Sequence, residues 1–332
     1  MEVNMIPEQW HGKPYYSLDA FLKNTHGEKL YKIAVDAGFT CPNRDGTLGR
    51  DGCIFCSAGG SGEHAVKTAL HTSVREQIAA GIALFHHKRI GQRYIVYFQA
   101  YTNTYGPLSY LRSLYTEALL EPSVAGISIA TRPDCMSPDI VTMLVNLKAQ
   151  FSDKFVWIEL GLQTIHEQTA VFIRRGYPLS TYDNCVRLLQ QSHIPVITHI
   201  ILGLPGETAD DLLSTVDHLN QIGTWGVKLQ LLHILSGTDL ASHYMVSDYA
   251  PLSQEAYTDL VISCLERLSP DIVIHRLTGD GPAALVLAPL WSRNKRNVLN
   301  TLHHTMKQRS SWQGRLYMKG LMHESRSIGT LQ

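Results

Sequence analysis

The sequence carries no excess of charge of either sign. Its 29 lysines and arginines balance 29 aspartates and glutamates, so the chain as a whole asks for no polyanionic partner, and any nucleic-acid surface has to be local. Long apolar runs are also missing. None approaches the roughly 18 residues of a membrane span. The first residues, MEVNMIPEQWHGKPYYSLDAF, lack the basic start, apolar centre and small-residue cleavage site of a secretory leader. A cytoplasmic protein with no membrane partner is therefore expected, in a compartment that keeps thiols reduced. Cysteine is scarce, with six residues in 332, and three of the six fall in one short stretch, CPNRDGTLGRDGCIFC, from Cys41 to Cys56. Clustering of that kind in a reducing compartment points to a metal site before a disulfide.

What is present is an ordinary globular composition, 44% hydrophobic and 17% charged, with a regular internal rhythm. Short apolar runs recur as KLYKIAVDAGF, RYIVYFQA, VAGISIAT, FVWIELGL, IPVITHIILGL, WGVKLQLLHIL and DIVIHRL. Stretches of helical spacing lie between them: 68–87, 107–120, 137–150, 181–191, 207–222 and 253–268. Continuous apolar strands alternating with helices predict an α/β fold whose parallel sheet is covered on its faces. Either a partial barrel or an open doubly wound sheet fits, and in both the chemistry belongs at the carboxyl ends of the strands. Those ends read CPNRDG, QAYTNTYG, TRPDC, ELGLQT, GLPGE, SGTDL and RLTGDGP, enough polar and glycine residues in series to ring one cavity.

Cys53 and Cys56 stand at the two-residue spacing that turns two sulfurs toward one metal, and Cys41 can fold back as a third. A closed zinc site wants four ligands, for which His64 or His71 could supply the fourth. A three-cysteine set instead suits an iron–sulfur cluster with one iron left open for a non-protein ligand, because ordinary clusters take four thiolates. Phe55 stands where an aromatic could cover an adenine or simply pack. Cys135 lies at a strand tip beside the expected cavity, either as a working thiol or, more in keeping with its residue type, as a buried apolar cysteine.

The cysteine triad after the first strand, the aromatic before its third member and the succession of strand–helix units resemble the radical S-adenosylmethionine (SAM) superfamily. The triad reads C-x11-C-x2-C in place of the commoner C-x3-C-x2-C. With KIAVDAGFTCPNRDGT, GCIFCSAGGSGE, IATRPDC, HIILGLPGET and RLTGDGP, it is similar to the YhcC/YtqA (MnmL-type) group, near an Elongator-protein-3-like radical SAM core. The resemblance implies a partial (β/α)6-type TIM barrel over 29–280, with an N-terminal extension over 1–28 and a basic, helical C-terminal extension over 281–332. It implies a [4Fe-4S] cluster on Cys41, Cys53 and Cys56, whose fourth iron is chelated by SAM, and chemistry through a 5′-deoxyadenosyl radical. The SAM contacts it implies are Phe55, Gln99, Thr102, Asn103, Thr131, Arg132, Glu159, Gln163, Arg175, His199 and Gly203. The loop between Cys41 and Cys53 either faces the substrate with Arg44 and Arg50 or merely returns the chain to the cluster.

The tail from Trp291 to Gly320 contains Arg293, Lys295, Arg296, Lys307, Arg309, Arg315 and Lys319 and no acidic residue. Interleaved with Trp291, Trp312 and Tyr317, these residues suit phosphate contacts beside stacked bases. A solvated amphipathic helix closing the barrel is the alternative. The resemblance implies a tRNA substrate bound at its anticodon region, with the wobble uridine's 5-carboxymethylaminomethyl group converted to 5-aminomethyl, and a flavodoxin- or ferredoxin-type electron donor. Radical chemistry on another RNA or a small metabolite, and a non-catalytic iron–sulfur or zinc protein, remain as alternatives.

Overall fold

The computed structural model describes residues 6–60, 65, 72–85, 91 and 93–317. His64, His71 and Lys319 lie outside the described residues. Seven strands form one parallel sheet in sequential order: β1 (Tyr31–Val35), β2 (Tyr94–Phe98), β3 (Val124–Thr131), β4 (Phe155–Gln163), β5 (Val196–Leu202), β6 (Gly226–Leu231) and β8 (Val273–Arg276). A parallel sheet whose neighbours follow chain order curls without reversing direction, and here it makes a half-barrel with all strand tips at one rim. A small antiparallel pair, β7 (Ile234–Leu235) with β9 (Val286–Ala288), stands beside that rim.

The helices that return the chain are α2 (Val74–Ala83), α3 (Leu108–Leu120), α4 (Pro138–Gln150), α6 (Leu179–Gln191), α7 (Ala209–Ile222) and α9 (Gln254–Arg267). All six coincide with stretches of helical spacing, and several have clear starts. Ser73 and Thr208 open α2 and α7 with reciprocal capping boxes to Glu76 and Asp211, and Ser137 and Ser253 cap α4 and α9. The outward side chains of the strands, among them Val96, Phe98, Ile127, Ile129, Ile158, Leu160 and Leu229, pack on these helices in the main core.

The inward side chains form two contrasting layers. The lower is apolar: Leu30, Ile95, Trp157 and Ile197 pack against Leu22 of α1 (Leu18–His26), with Phe21 and Trp225 at its edge. Residues 6–28 are thus a plug for the barrel floor, joined to it by a bridge from Ser17 to Ile274. The next layer up is polar and includes Lys32, Ser128, Glu159, His199 and Lys228, one residue from each of five strands.

The C-terminal residues do not stand apart either. α10 (Lys295–Gln308) buries Val298, Leu302 and Met306 in the main core beside Leu265 of α9. Among the described residues no helix is long and apolar enough to cross a membrane. Replacing Leu22 with alanine removes the centre of the floor plug and is expected to lower stability by about 2–5 kcal/mol, read as a fall in the urea midpoint.

Candidate active site at the mouth of the half-barrel

The cysteine loop is held in shape by its own polar groups. The Cys41 carbonyl accepts from the backbone amides of Arg44 and Asp45 at 2.7 and 3.1 Å, and the Asn43 carbonyl accepts from the Gly52 amide at 2.8 Å. These bonds fold the eleven-residue insertion back on itself. The Arg44 guanidinium then donates to the carbonyls of Cys56 and Ser57 at 3.0 and 2.6 Å. Asn43 Nδ2 donates to the Arg174 carbonyl at 2.7 Å and approaches the Cys53 sulfur at 3.5 Å. Gly176 permits this closure: its φ of +81° and the nearness of Asn43 and Arg132 leave no room for a β-carbon. Arg44 is therefore a brace of the cysteine loop, while Arg50 is exposed at its far end.

Cys41, Cys53 and Cys56 line one cavity of about 910 Å³, at the upper end of the roughly 300–1,000 Å³ usual for ligand sites. The Cys53 thiol is brought down to about 7, first by the Cys56 thiol that donates to it, with Arg132, Asn43 and Arg44 adding to the effect. Cys56 is held well above the ordinary thiol range by that same bond and by burial. Metal ligation requires thiolates, so of this hydrogen-bonded pair Cys53 is the one nearer that state. Among the described residues no three His, Cys, Asp or Glu side chains gather around a single-ion position.

Of the expected SAM contacts, Phe55, Gln99, Thr102, Thr131, Arg132, Glu159, Gln163, Arg175 and His199 line the same cavity. Gln99 Nε2 and Gln163 Oε1 are buried without a hydrogen-bond partner. One orphaned donor and one orphaned acceptor suit a zwitterion such as the methionine end of SAM. With three thiols at the rim, the residues present fit both cofactors.

Some of the expected contacts already have protein partners or lie off the cavity. Arg175 does not offer a free fork: it donates to the carbonyls of Tyr177, Leu162 and Thr164 and to the Glu167 carboxylate, so it ties down the loop after β4. Arg132 spends two of its nitrogens on Asp134 and a third on the Arg175 carbonyl. Asn103 and Gly203 are not among the lining residues. Asn103 bonds the Ala130 carbonyl at 2.9 Å, and Gly203, at φ +85°, gives its carbonyl to the Tyr249 hydroxyl. Cys135 lines a separate cavity with Leu48, Tyr105 and Met136. Burial and Asp134 push its thiol up to about 12, so it is not poised to react.

Three of the tail's described cations are neutralised by acids. Lys295 pairs with Asp280, Arg309 with Asp259 and Arg315 with Glu266 at 2.5, 2.6 and 2.7 Å, and Arg293 donates to the Val286 carbonyl. Trp291 packs near Tyr257 and donates to Leu252. Arg296 and Lys307 are exposed, with no ion pair among the described residues.

Below the thiols lies a cluster that the sequence reading only half found. Glu159, buried completely, accepts from Lys32 and Ser128 at 2.7 and 2.5 Å on one oxygen, and from His199 at 2.7 Å and Lys228 on the other. Burial opposes its ionisation, but Lys228 and Lys32 outweigh it and hold the carboxyl well below its usual range. Glu159 and His199 were expected as SAM contacts; the geometry makes them members of this buried layer. Lys32, Lys228, Tyr97 and His275 were missed. The signal available was a single charged or imidazole residue at mid-run in otherwise apolar strands.

The radical SAM superfamily matches residues 40–219, and the radical SAM C-terminal domain matches residues 224–308. The chain is similar to the YtqA protein of Bacillus subtilis (strain 168), 39% identical over 96% of this chain and 98% of that one. It is also similar to the YhcC protein of Escherichia coli (strain K12), 35% identical over 82% and 86%. A more distant relative is the tRNA uridine(34) acetyltransferase of Methanocaldococcus jannaschii, 25% identical over 50% of this chain and 30% of that one. In fold it resembles the archaeal Elp3 of Methanocaldococcus infernus, with a TM-score of 0.63 and 15% identity, covering 86% of this chain and 64% of that one.

The chain belongs to the radical SAM superfamily. Within it, the protein falls in the YhcC/YtqA group with an Elongator-protein-3-like core, and it is an enzyme whose cofactors are a [4Fe-4S] cluster and SAM.

Two outcomes test this site. Cys53→Ala is expected to abolish iron retention and the brown absorbance of anaerobically reconstituted protein. Glu159→Gln strands Lys228 without its counter-charge and is expected to cost about 3–5 kcal/mol. Adding Lys228→Met to it should recover part of that loss, as read by urea unfolding.

Proposed function

We propose that the protein modifies the wobble uridine of tRNA, converting 5-carboxymethylaminomethyl-(2-thio)uridine to the 5-aminomethyl form. The observation that carries this reading is one cavity of about 910 Å³ lined by three thiols and by the lysine–carboxylate layer, a volume that can take a base turned out of an anticodon loop. The similarity to the tRNA uridine(34) acetyltransferase of Methanocaldococcus jannaschii supports the choice of substrate. Cys41, Cys53 and Cys56 are proposed to hold the cluster, and Gln99 and Gln163, with Thr102 and Thr131 nearby, the methionine end of SAM. When bound, the cluster and SAM supply one-electron chemistry that takes a hydrogen atom from an unactivated carbon.

The chain's own residues do the rest. Arg44 and Asn43 fix the thiols, Arg175 fixes the loop after β4, and the half-barrel walls keep water from the reacting carbon. Arg296 and Lys307, exposed on α10, are proposed as phosphate contacts. Electrons are proposed to come from a flavodoxin- or ferredoxin-type donor in the cytoplasm.

A second reading is a small-metabolite substrate, and the ion pairs of the tail favour it, since Lys295, Arg309 and Arg315 already have acidic partners. Incubating reconstituted protein with SAM, reductant and tRNA from a strain lacking the gene, then digesting the RNA for mass spectrometry, separates the two. Growth of the 5-aminomethyl nucleoside at the expense of its carboxymethylated precursor is expected, and an unchanged nucleoside profile refutes the tRNA reading. Arg296→Ala with Lys307→Ala should weaken tRNA binding and flatten its salt dependence by about two phosphate contacts. The metabolite reading expects no change in turnover from that pair.

A further inference from the structure

We propose that Lys32 and Lys228 form a carboxylate-binding subsite on the floor of the cavity, where they take the acidic end of the substrate side chain while Glu159 holds them in position. This rests on the wobble-uridine reading for the identity of the side chain and adds the residues that recognise it.

The first support is a charge imbalance. Two ammonium groups converge on one carboxylate, Lys32 on one oxygen and Lys228 on the other, and the remaining partners of Glu159 are Ser128 and His199. Burial, with Lys228 nearby, takes His199 down to about 4, and burial takes His275 well below its usual value, so neither imidazole is charged at neutral pH. Arg276 lines the same cavity. Its nearest acid, Asp280, is 3.9 Å away and bound to Lys295 at 2.5 Å. Burial holds Lys228 well below the ordinary ammonium range, with Glu159 opposing that shift, and Lys32 and Arg276 by themselves still outnumber the single Glu159 carboxylate of the floor. A buried surplus of this kind is costly unless a ligand of opposite sign balances it.

The second support is an unused donor. Both ring nitrogens of His275 are buried with no hydrogen-bond partner, and the residue lines the cavity. A neutral imidazole always carries one N–H, and a carboxylate oxygen is its natural acceptor.

The third support is placement. The Tyr97 ring lies beneath both ammonium groups, 4.7 Å from Lys32 Nζ and 4.4 Å from Lys228 Nζ, and the Tyr97 hydroxyl accepts from Lys228 at 3.2 Å. The two cations are therefore fixed side by side, at a separation set by the two oxygens of one carboxylate, which suits a second carboxylate on the open side. They sit at mid-strand, whereas the thiols and the orphaned glutamine atoms lie at the loop and strand ends. A base entering by the mouth would bring its side-chain terminus to the floor while SAM occupies the level above.

The test is binding by reconstituted protein with SAM and no reductant, to tRNA bearing either the carboxymethylaminomethyl or the aminomethyl wobble uridine. Wild type is expected to prefer the carboxylated tRNA by about tenfold or more. Lys32→Met should erase that preference while leaving affinity for the aminomethyl tRNA as it was, and Lys32→Arg should restore most of it. Lys32 is the chosen position because its side chain is 22% exposed and its loss is the less disruptive; iron content and near-ultraviolet circular dichroism confirm the fold, and Lys228→Met provides a second variant. A preference that survives in both methionine variants, or a wild type that does not discriminate, overturns the subsite even if the tRNA is converted. If wild type binds and converts no tRNA, the tRNA reading fails by itself. The subsite then stands or falls on whether N-methylglycine, but not methylamine, perturbs the His275 imidazole resonances in wild type and not in Lys32→Met.

Discussion

A single buried carboxylate organises the inside of this barrel. Glu159 is drawn from the middle of β4 and met by Lys32 from β1, Ser128 from β3, His199 from β5 and Lys228 from β6. Five strands are thereby joined across the cavity as well as along the sheet. An ion pair in so dry a place is weak evidence of stabilisation, because desolvation offsets most of the attraction. Its value lies in keeping the barrel from collapsing on an apolar interior, and in setting polar groups at a fixed depth below the rim.

The rim depends on a different device. Three cysteines are presented by a loop that has little apolar content of its own, so its shape comes from side chains that satisfy backbone carbonyls. Arg44 grips the turn after Cys56, Asn43 ties the loop to the segment after α5 (Glu167–Phe172), and Arg175 fastens that segment to the end of β4. Arg44 and Arg175 are candidate ligand contacts by residue type. In the fold, their donors are consumed in making the site rigid, which is the condition for directing a reactive species at one carbon.

Strand and helix periods were legible because they reflect local geometry. Continuous apolar runs such as VAGISIAT mark strands covered on both faces, and helical spacing marks the stretches between them. The partial barrel and the radical SAM motifs followed. Less was legible in the tail, where a run of cations with no acid among them read as a phosphate surface. Asp259 and Glu266 lie on α9, 50 and 49 residues from Arg309 and Arg315, and Asp280 lies in the segment after β8, 15 residues before Lys295, so only docking of the tail brings the pairs into contact. Cys135 ends the short turn Pro133–Cys135 after β3 and lines a second cavity, a placement that the strand tip by itself does not specify.

The sequence by itself determined the order of the elements and the gathering of three cysteines within sixteen residues, because both are encoded by local spacing. Tertiary structure alone decided which polar side chains are free and which are spent. Whether Lys32 meets Glu159 depends on a partner 127 residues away, whether Lys295 is neutralised on one 15 residues away, and whether Arg175 faces a ligand on how the turn after β4 folds around it. No local pattern records such pairs; they exist only once the sheet has curled and the helices have docked.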